Sequence, residues 1–146
     1  MSGSVASVNS IVITVACTGL LVSACGGDSG TMSPSGGGSA PFEQTINGTV
    51  AVFDITEHQF TTTRSGNLTA TVTWANSAID LDLYLTASNC NNYPPVACTI
   101  LERSDAATGT SETVRRSVSP GTQLKFWVDN FSETLGTSYI LQIRID

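Results

Sequence analysis

The chain has 146 residues, 12% of them charged and 40% hydrophobic, with a formal net charge of −6. That length holds one domain, and scarce charge without a helical Ala/Glu/Lys/Leu pattern speaks against a helical bundle and for β structure. All six basic and twelve acidic residues lie at position 28 or later. An acidic surface repels phosphate backbones, which excludes nucleic acid as a partner.

Residues 11–24 are apolar apart from Thr14, Thr18, Gly19 and Ser23, and they end in Val22-Ser-Ala-Cys25. As a helix they would reach about 21 Å, short of a hydrocarbon core of about 30 Å. Residues 1–24 therefore read as a signal peptide rather than a membrane span. Val22-Ser-Ala-Cys25 resembles the lipobox of bacterial lipoproteins: a branched apolar residue and two small ones before a cysteine that is acylated. The resemblance implies that Cys25 is the first mature residue, carries lipid and anchors the chain to a membrane of the bacterial cell envelope. Residues 1–10 hold no Lys or Arg, where signal peptides usually carry positive charge. A plain secretory leader with an incidental cysteine is the alternative. Residues 25–41 then form a Gly/Ser tether, about 20–25 Å end to end.

Residues 42–146 read as a domain of strand after strand. Residues 45–53 put Val50 and Val52 on one face, with Asn47-Gly48 breaking the start. Residues 56–63 carry Phe60, and Arg64-Ser-Gly66 turns the chain. In 68–74 the residues Leu68, Ala70, Val72 and Trp74 alternate with threonines, which predicts a strand with one core face and one wet face. After a turn at Ala75-Asn-Ser77, residues 80–85 put Leu81, Leu83 and Leu85 on one face and Asp80, Asp82 and Tyr84 on the other. The two strands read as a hairpin. Residues 89–98 form a loop by their Asn and Pro content, and 98–103 a short strand. In 110–118, Arg116 interrupts an inward pattern, either guarding a sheet edge or pairing with an acid at the rim. Pro120-Gly121 marks a turn. Residues 123–130 face Leu124, Phe126 and Val128 inward and Lys125, Trp127 and Asp129 outward. Residues 138–146 line up Tyr139, Leu141, Ile143 and Ile145. About eight evenly spaced strands describe an all-β fold, an antiparallel β-sandwich.

Candidate chemistry is sparse. Cys90 and Cys98 lie eight positions apart, and in an exported chain such a pair reads as a disulfide. A zinc site would need a second Cys pair or a His pair to complete four ligands, and the sequence offers neither. His58 is the single histidine and has no nucleophilic serine in a sharp-turn context to serve, so it reads as structural. Asp80 and Asp82 have the spacing of a glycosidase pair. On an exposed face they would titrate normally and supply no general acid. The chain therefore reads as no enzyme, and Asn47-Gly-Thr, Asn67-Leu-Thr and Asn130-Phe-Ser as chance matches to a glycosylation pattern.

The layout Phe60, Ser65-Gly66, Leu68 to Trp74, Asp80-Leu-Asp-Leu-Tyr-Leu85, Glu112-Thr-Val114, Pro120-Gly121-Thr, Trp127-Val-Asp-Asn-Phe131 and Tyr139-x-Leu-x-Ile143 resembles the bacterial pre-peptidase C-terminal domain. The resemblance spans residues 45–146. It implies a jelly-roll-like sandwich that accompanies secreted peptidases and other exported proteins, here acting alone or for a separate partner. It also implies calcium as an open reading for Asp80 and Asp82, with Asp129 and Asn130 or loop carbonyls completing the six to eight oxygens calcium takes. Two other readings of that face stay open. Tyr84 and Trp127 form a platform for a sugar or peptide, or the acids merely solubilise the sheet. The functional expectation is a lipid-anchored, non-catalytic module for protein or polysaccharide contact. The alternative is a structural or secretion-related accessory domain with no ligand.

Overall fold

The computed structural model describes residues 40–92 and 98–146. The leader, the tether, the lipobox with Cys25 and the Pro-Pro part of the 89–98 loop lie outside the described residues.

Eight strands follow in order: β1 (Phe42–Val50), β2 (Ile55–Thr61), β3 (Gly66–Trp74), β4 (Leu81–Ala87), β5 (Ile100–Ser104), β6 (Ser111–Val118), β7 (Gln123–Asn130) and β8 (Thr137–Ile145). They form two four-stranded sheets, ordered β1-β8-β3-β6 and β2-β7-β4-β5. Every pairing is antiparallel. The partners β1·β8, β2·β7, β3·β6 and β4·β5 nest within one another, like one long hairpin rolled into a two-layer sandwich. This is the jelly-roll arrangement.

Period two fills the core as expected. Leu68, Ala70, Val72 and Trp74 of β3 and Tyr139, Leu141, Ile143 and Ile145 of β8 meet Leu81, Leu83 and Leu85 of β4 and Leu124, Phe126 and Val128 of β7. At about 25 cal/mol per Å² of apolar surface removed from water, this double layer is the main stabilising term.

Three local expectations are corrected. β3 and β4 do not form a hairpin: β3 pairs with β6 and β8, and β4 with β5 and β7. Residues 75–80 instead carry the chain from one sheet to the other. Alternation reports which face of a strand is apolar, and both arrangements point the leucines at the same core. β1 starts earlier than expected, at Phe42, and ends at Val50, leaving Val52 41% exposed. Asn47-Gly48 does not break it. Gly48 lies opposite Tyr139, whose ring occupies the space a Cβ would need, so the aromatic covers the glycine.

Arg116 meets both of its readings. It shares the inward face of β6, an edge strand, and pairs with Glu102 across the rim at 3.3 Å.

Candidate functional site

The sequence places Asp82, Tyr84 and Thr86 on the outer face of β4, and Lys125, Trp127 and Asp129 on that of β7. Register brings them together in direct opposition: Asp82 faces Asp129, Tyr84 faces Trp127 and Thr86 faces Lys125. The row closes on itself. Tyr84 Oη donates to Asp82 Oδ2 at 2.6 Å, and Trp127 Nε1 donates to Thr86 Oγ1 at 2.9 Å. Lys125 Nζ sits 4.9 Å from the Trp127 ring centre, a cation–π distance. It also donates to the Cys90 carbonyl at 2.7 Å and pairs with Glu57 at 2.9 Å.

The expected wet face is therefore not wet. Trp127 is 4% exposed and Lys125 1%, while Asp82 and Asp129 are buried and Tyr84 and Asp80 half-buried. Long side chains on adjacent strands lie flat on the sheet and cover one another, which alternation alone does not reveal. Nor do Asp82 and Asp129 titrate normally. Burial first, and then neighbouring acids, push Asp82 up to about 6 against the Tyr84 hydrogen bond that lowers it. Burial and the charge of Asp82 push Asp129 up to about 7. The Tyr84 hydroxyl is raised as well, by burial and by its bond to Asp82. Two facing carboxyls, desolvated and repelling each other when both are ionised, bind protons more tightly than free carboxylates do.

Asp80 stands at the end of this row, and its carbonyl accepts from Phe131 N at 3.0 Å. Among the described residues no three Asp, Glu, His or Cys side chains are grouped to hold a metal ion. His58 faces inward from β2 and shares a 2.7 Å hydrogen bond with Tyr139 Oη. Burial lowers its pKa. Cys90 and Cys98 are joined as a disulfide, as expected.

Sequence reasoning missed Lys125 as the cation that locks this layer. The signal was its parity with Trp127 and Asp129. It also missed the sandwich end where β1 leads to β2 and β7 leads to β8. There the Asn130 amide donates to the carbonyls of Ala51 and Leu135, both at 2.8 Å, and its oxygen accepts from Ser132 N at 2.9 Å. One buried side chain thus holds two loops in fixed relation. Those loops present Val52, Phe53, Phe131 and Leu135 to solvent, Phe53 being 63% exposed. Phe53 has φ of 47°, a left-handed conformation that costs a bulky L-residue about 1–2 kcal/mol. On the β1-β8-β3-β6 sheet (sheet one, the other being sheet two), beside that end, lies an open hollow of about 610 Å³ lined in part by Asn47, Thr49, Thr73, Ser138 and Ile140.

No protein-family model matches the chain, and no curated protein matches it. Solved structures do. The Yersinia pseudotuberculosis-derived mitogen is similar at a TM-score of 0.54 and 19% identity, over 73% of this chain and 88% of that one. The pre-peptidase C-terminal domain of collagenase from Bacillus anthracis is similar at 0.52 and 17%, over 69% and 88%. PliG of Aeromonas hydrophila, a periplasmic inhibitor of g-type lysozyme, is similar at 0.51 and 11%, over 71% and 86%. The likeness is one of fold.

Proposed function

We propose that this chain is a non-catalytic β-sandwich module, held at the bacterial cell envelope by lipid on Cys25, that makes contact with another protein. The observation that carries the reading is Phe53, an aromatic residue kept in water on a strained backbone beside Val52, Phe131 and Leu135. Strain and exposed apolar surface at a loop tip both oppose stability, and such features persist where a function uses them. The Asn130 clamp fixes the two loops before any partner arrives, which reduces the ordering cost of binding. Two neighbours in fold serve beside enzymes by their names, one as a lysozyme inhibitor and one as a domain of a collagenase. The disulfide suits an oxidising compartment outside the cytoplasm. The Asp82–Tyr84–Trp127–Asp129 layer then acts as the rigid floor of the sandwich.

Phe53→Gly separates contact from stability. Glycine relieves the left-handed strain, so the melting temperature rises by a stabilisation of about 1 kcal/mol. Binding to purified envelope proteins, measured by interferometry, falls at the same time. A variant that melts lower, or that binds its protein as the wild type does, overturns the reading. So does a wild type that binds only polysaccharide. Cys25→Ser moves the protein out of the membrane fraction, and its retention there would remove the anchor.

A further inference from the structure

A jelly roll leaves four edge strands, and here they are not alike. The edges of β5 and β6 close each other: the Ser104 hydroxyl accepts from Thr113 N at 3.2 Å, and Arg116 donates to the Leu101 carbonyl at 3.5 Å. β5 is also short and irregular against β4, and β6 carries Arg115 and Arg116 in succession. In β2 the first outward N–H, that of Ile55, goes to the Asp54 carboxylate at 2.8 Å, and Glu57 follows at mid-strand. These are the devices by which sheets blunt an edge.

β1 has few of them. It is nine residues long, pairs with β8 without a break and contains no Lys, Arg or Pro. Its hydrogen-bonding direction follows from the ladder. Asn67 and Asp146 exchange both backbone bonds, so the even residues of β8 point at β3 and the odd ones at β1. The even residues of β1 are then used by β8, and Glu43, Thr45, Asn47 and Thr49 turn their N–H and C=O groups to the open side. The Thr49 carbonyl is taken by the Thr56 hydroxyl at 3.2 Å, which caps one end; among the described residues nothing bonds the outward backbone groups of Thr45 and Asn47.

We propose that this edge pairs with the β1 edge of a second copy of the chain, antiparallel about a two-fold axis at Ile46. Self-pairing in that register sets Thr45 against Asn47, Glu43 against Thr49, Gln44 against Gly48 and Phe42 against Val50. Each outward N–H meets an outward C=O, that of Thr49 accepting through the lone pair the Thr56 hydroxyl leaves. The only charge on the strand, Glu43, faces a threonine rather than its own copy, and Gln44 lies over a residue with no side chain. The strand is thus complementary to itself in charge and bulk, and an isologous edge contact closes after two copies. The result is a continuous eight-stranded sheet.

Sedimentation of the full chain in mild detergent tests this, alongside two variants. Thr45→Pro removes an N–H that β8 does not use and blocks the edge. Thr45→Lys with Asn47→Lys sets like charges directly opposite across the two-fold. The wild type has twice the mass of either variant, and both variants keep its circular dichroism. Thr45→Cys and Asn47→Cys chains cross-link when mixed, and neither does so with itself through the new cysteine. A wild type that is monomeric at every concentration, a dimer that survives the double lysine variant, or cross-linking equal in mixed and single samples overturns the proposal. If Thr45→Pro does not fold, the lysine variant and the cross-link decide.

Discussion

The outer faces of the two sheets have the same alternation in sequence and opposite characters in space. On sheet one, β8 alternates buried and exposed residues, with Ser138, Ile140, Gln142 and Arg144 in water beside the threonines of β3. On sheet two, β7 is buried from Leu124 to Asn130, on both faces at once. The difference lies in side-chain reach. Threonines are too short to cover their neighbours, whereas Lys, Trp and Tyr lie down along the sheet, burying their stems and joining their polar ends.

The largest test of this contrast is Trp127→Ala against Thr71→Ala. Thr71 makes a 2.9 Å hydroxyl contact with Thr113 on the face of sheet one, and its loss costs about 1 kcal/mol. Losing the Trp127 indole costs about 3–5 kcal/mol by chemical denaturation, as in a core. Equal costs would show that the layer on sheet two does not act as a second core.

Next comes the disulfide, because Lys125 reaches that layer's rim at the Cys90 carbonyl. Reduction of Cys90–Cys98 releases a nine-residue loop and lowers stability by about 2.5 kcal/mol. The sandwich stays folded by circular dichroism, since none of its core strands depends on the bridge. Near-ultraviolet circular dichroism at Trp127 changes more than that at Trp74. The reverse ordering would detach the loop from the layer.

A third test of the layer is its dependence on pH. Unfolded, both carboxyls titrate near about 4; folded, Asp82 titrates near about 6 and Asp129 near about 7. Between those limits the folded chain holds protons that the unfolded chain has released. Their contribution is therefore most favourable below about pH 4 and is lost as pH rises through 7. The melting temperature falls over that window, and Asp129→Asn flattens the slope. Tyr84→Phe shifts the fall to higher pH, because the Tyr84 hydrogen bond is what holds Asp82 down. A wild-type melt that rises from pH 5 to pH 8 would contradict this.

The fold was legible because period two is a local property: Leu68 to Trp74 and Asp80 to Leu85 each declare a core face without reference to any partner. Pairing is not local, so the same residues suggested a hairpin where the chain in fact crosses between sheets. The disulfide was legible from two cysteines eight positions apart and from the export expected of the chain. The buried row was half legible. Parity put Asp82, Tyr84, Trp127 and Asp129 on one face, but their burial depends on the cross-strand neighbours Thr86 and Lys125, which only register supplies. The Phe53 loop tip was hidden, because a single aromatic residue after a strand gives no sign of its backbone angle.

The nested pairing sets the order of assembly. β8, the last of the eight strands to be synthesised, lies in the interior of its sheet between β1 and β3. Until it arrives, β1 has no neighbour and β3 only one. Sheet one therefore cannot close before β8 is made, and its closure waits on contacts between strands far apart in the domain's sequence, a topology that folds slowly. Sheet two needs no β8, so until that strand arrives the leucines of β4 face a layer that is still open.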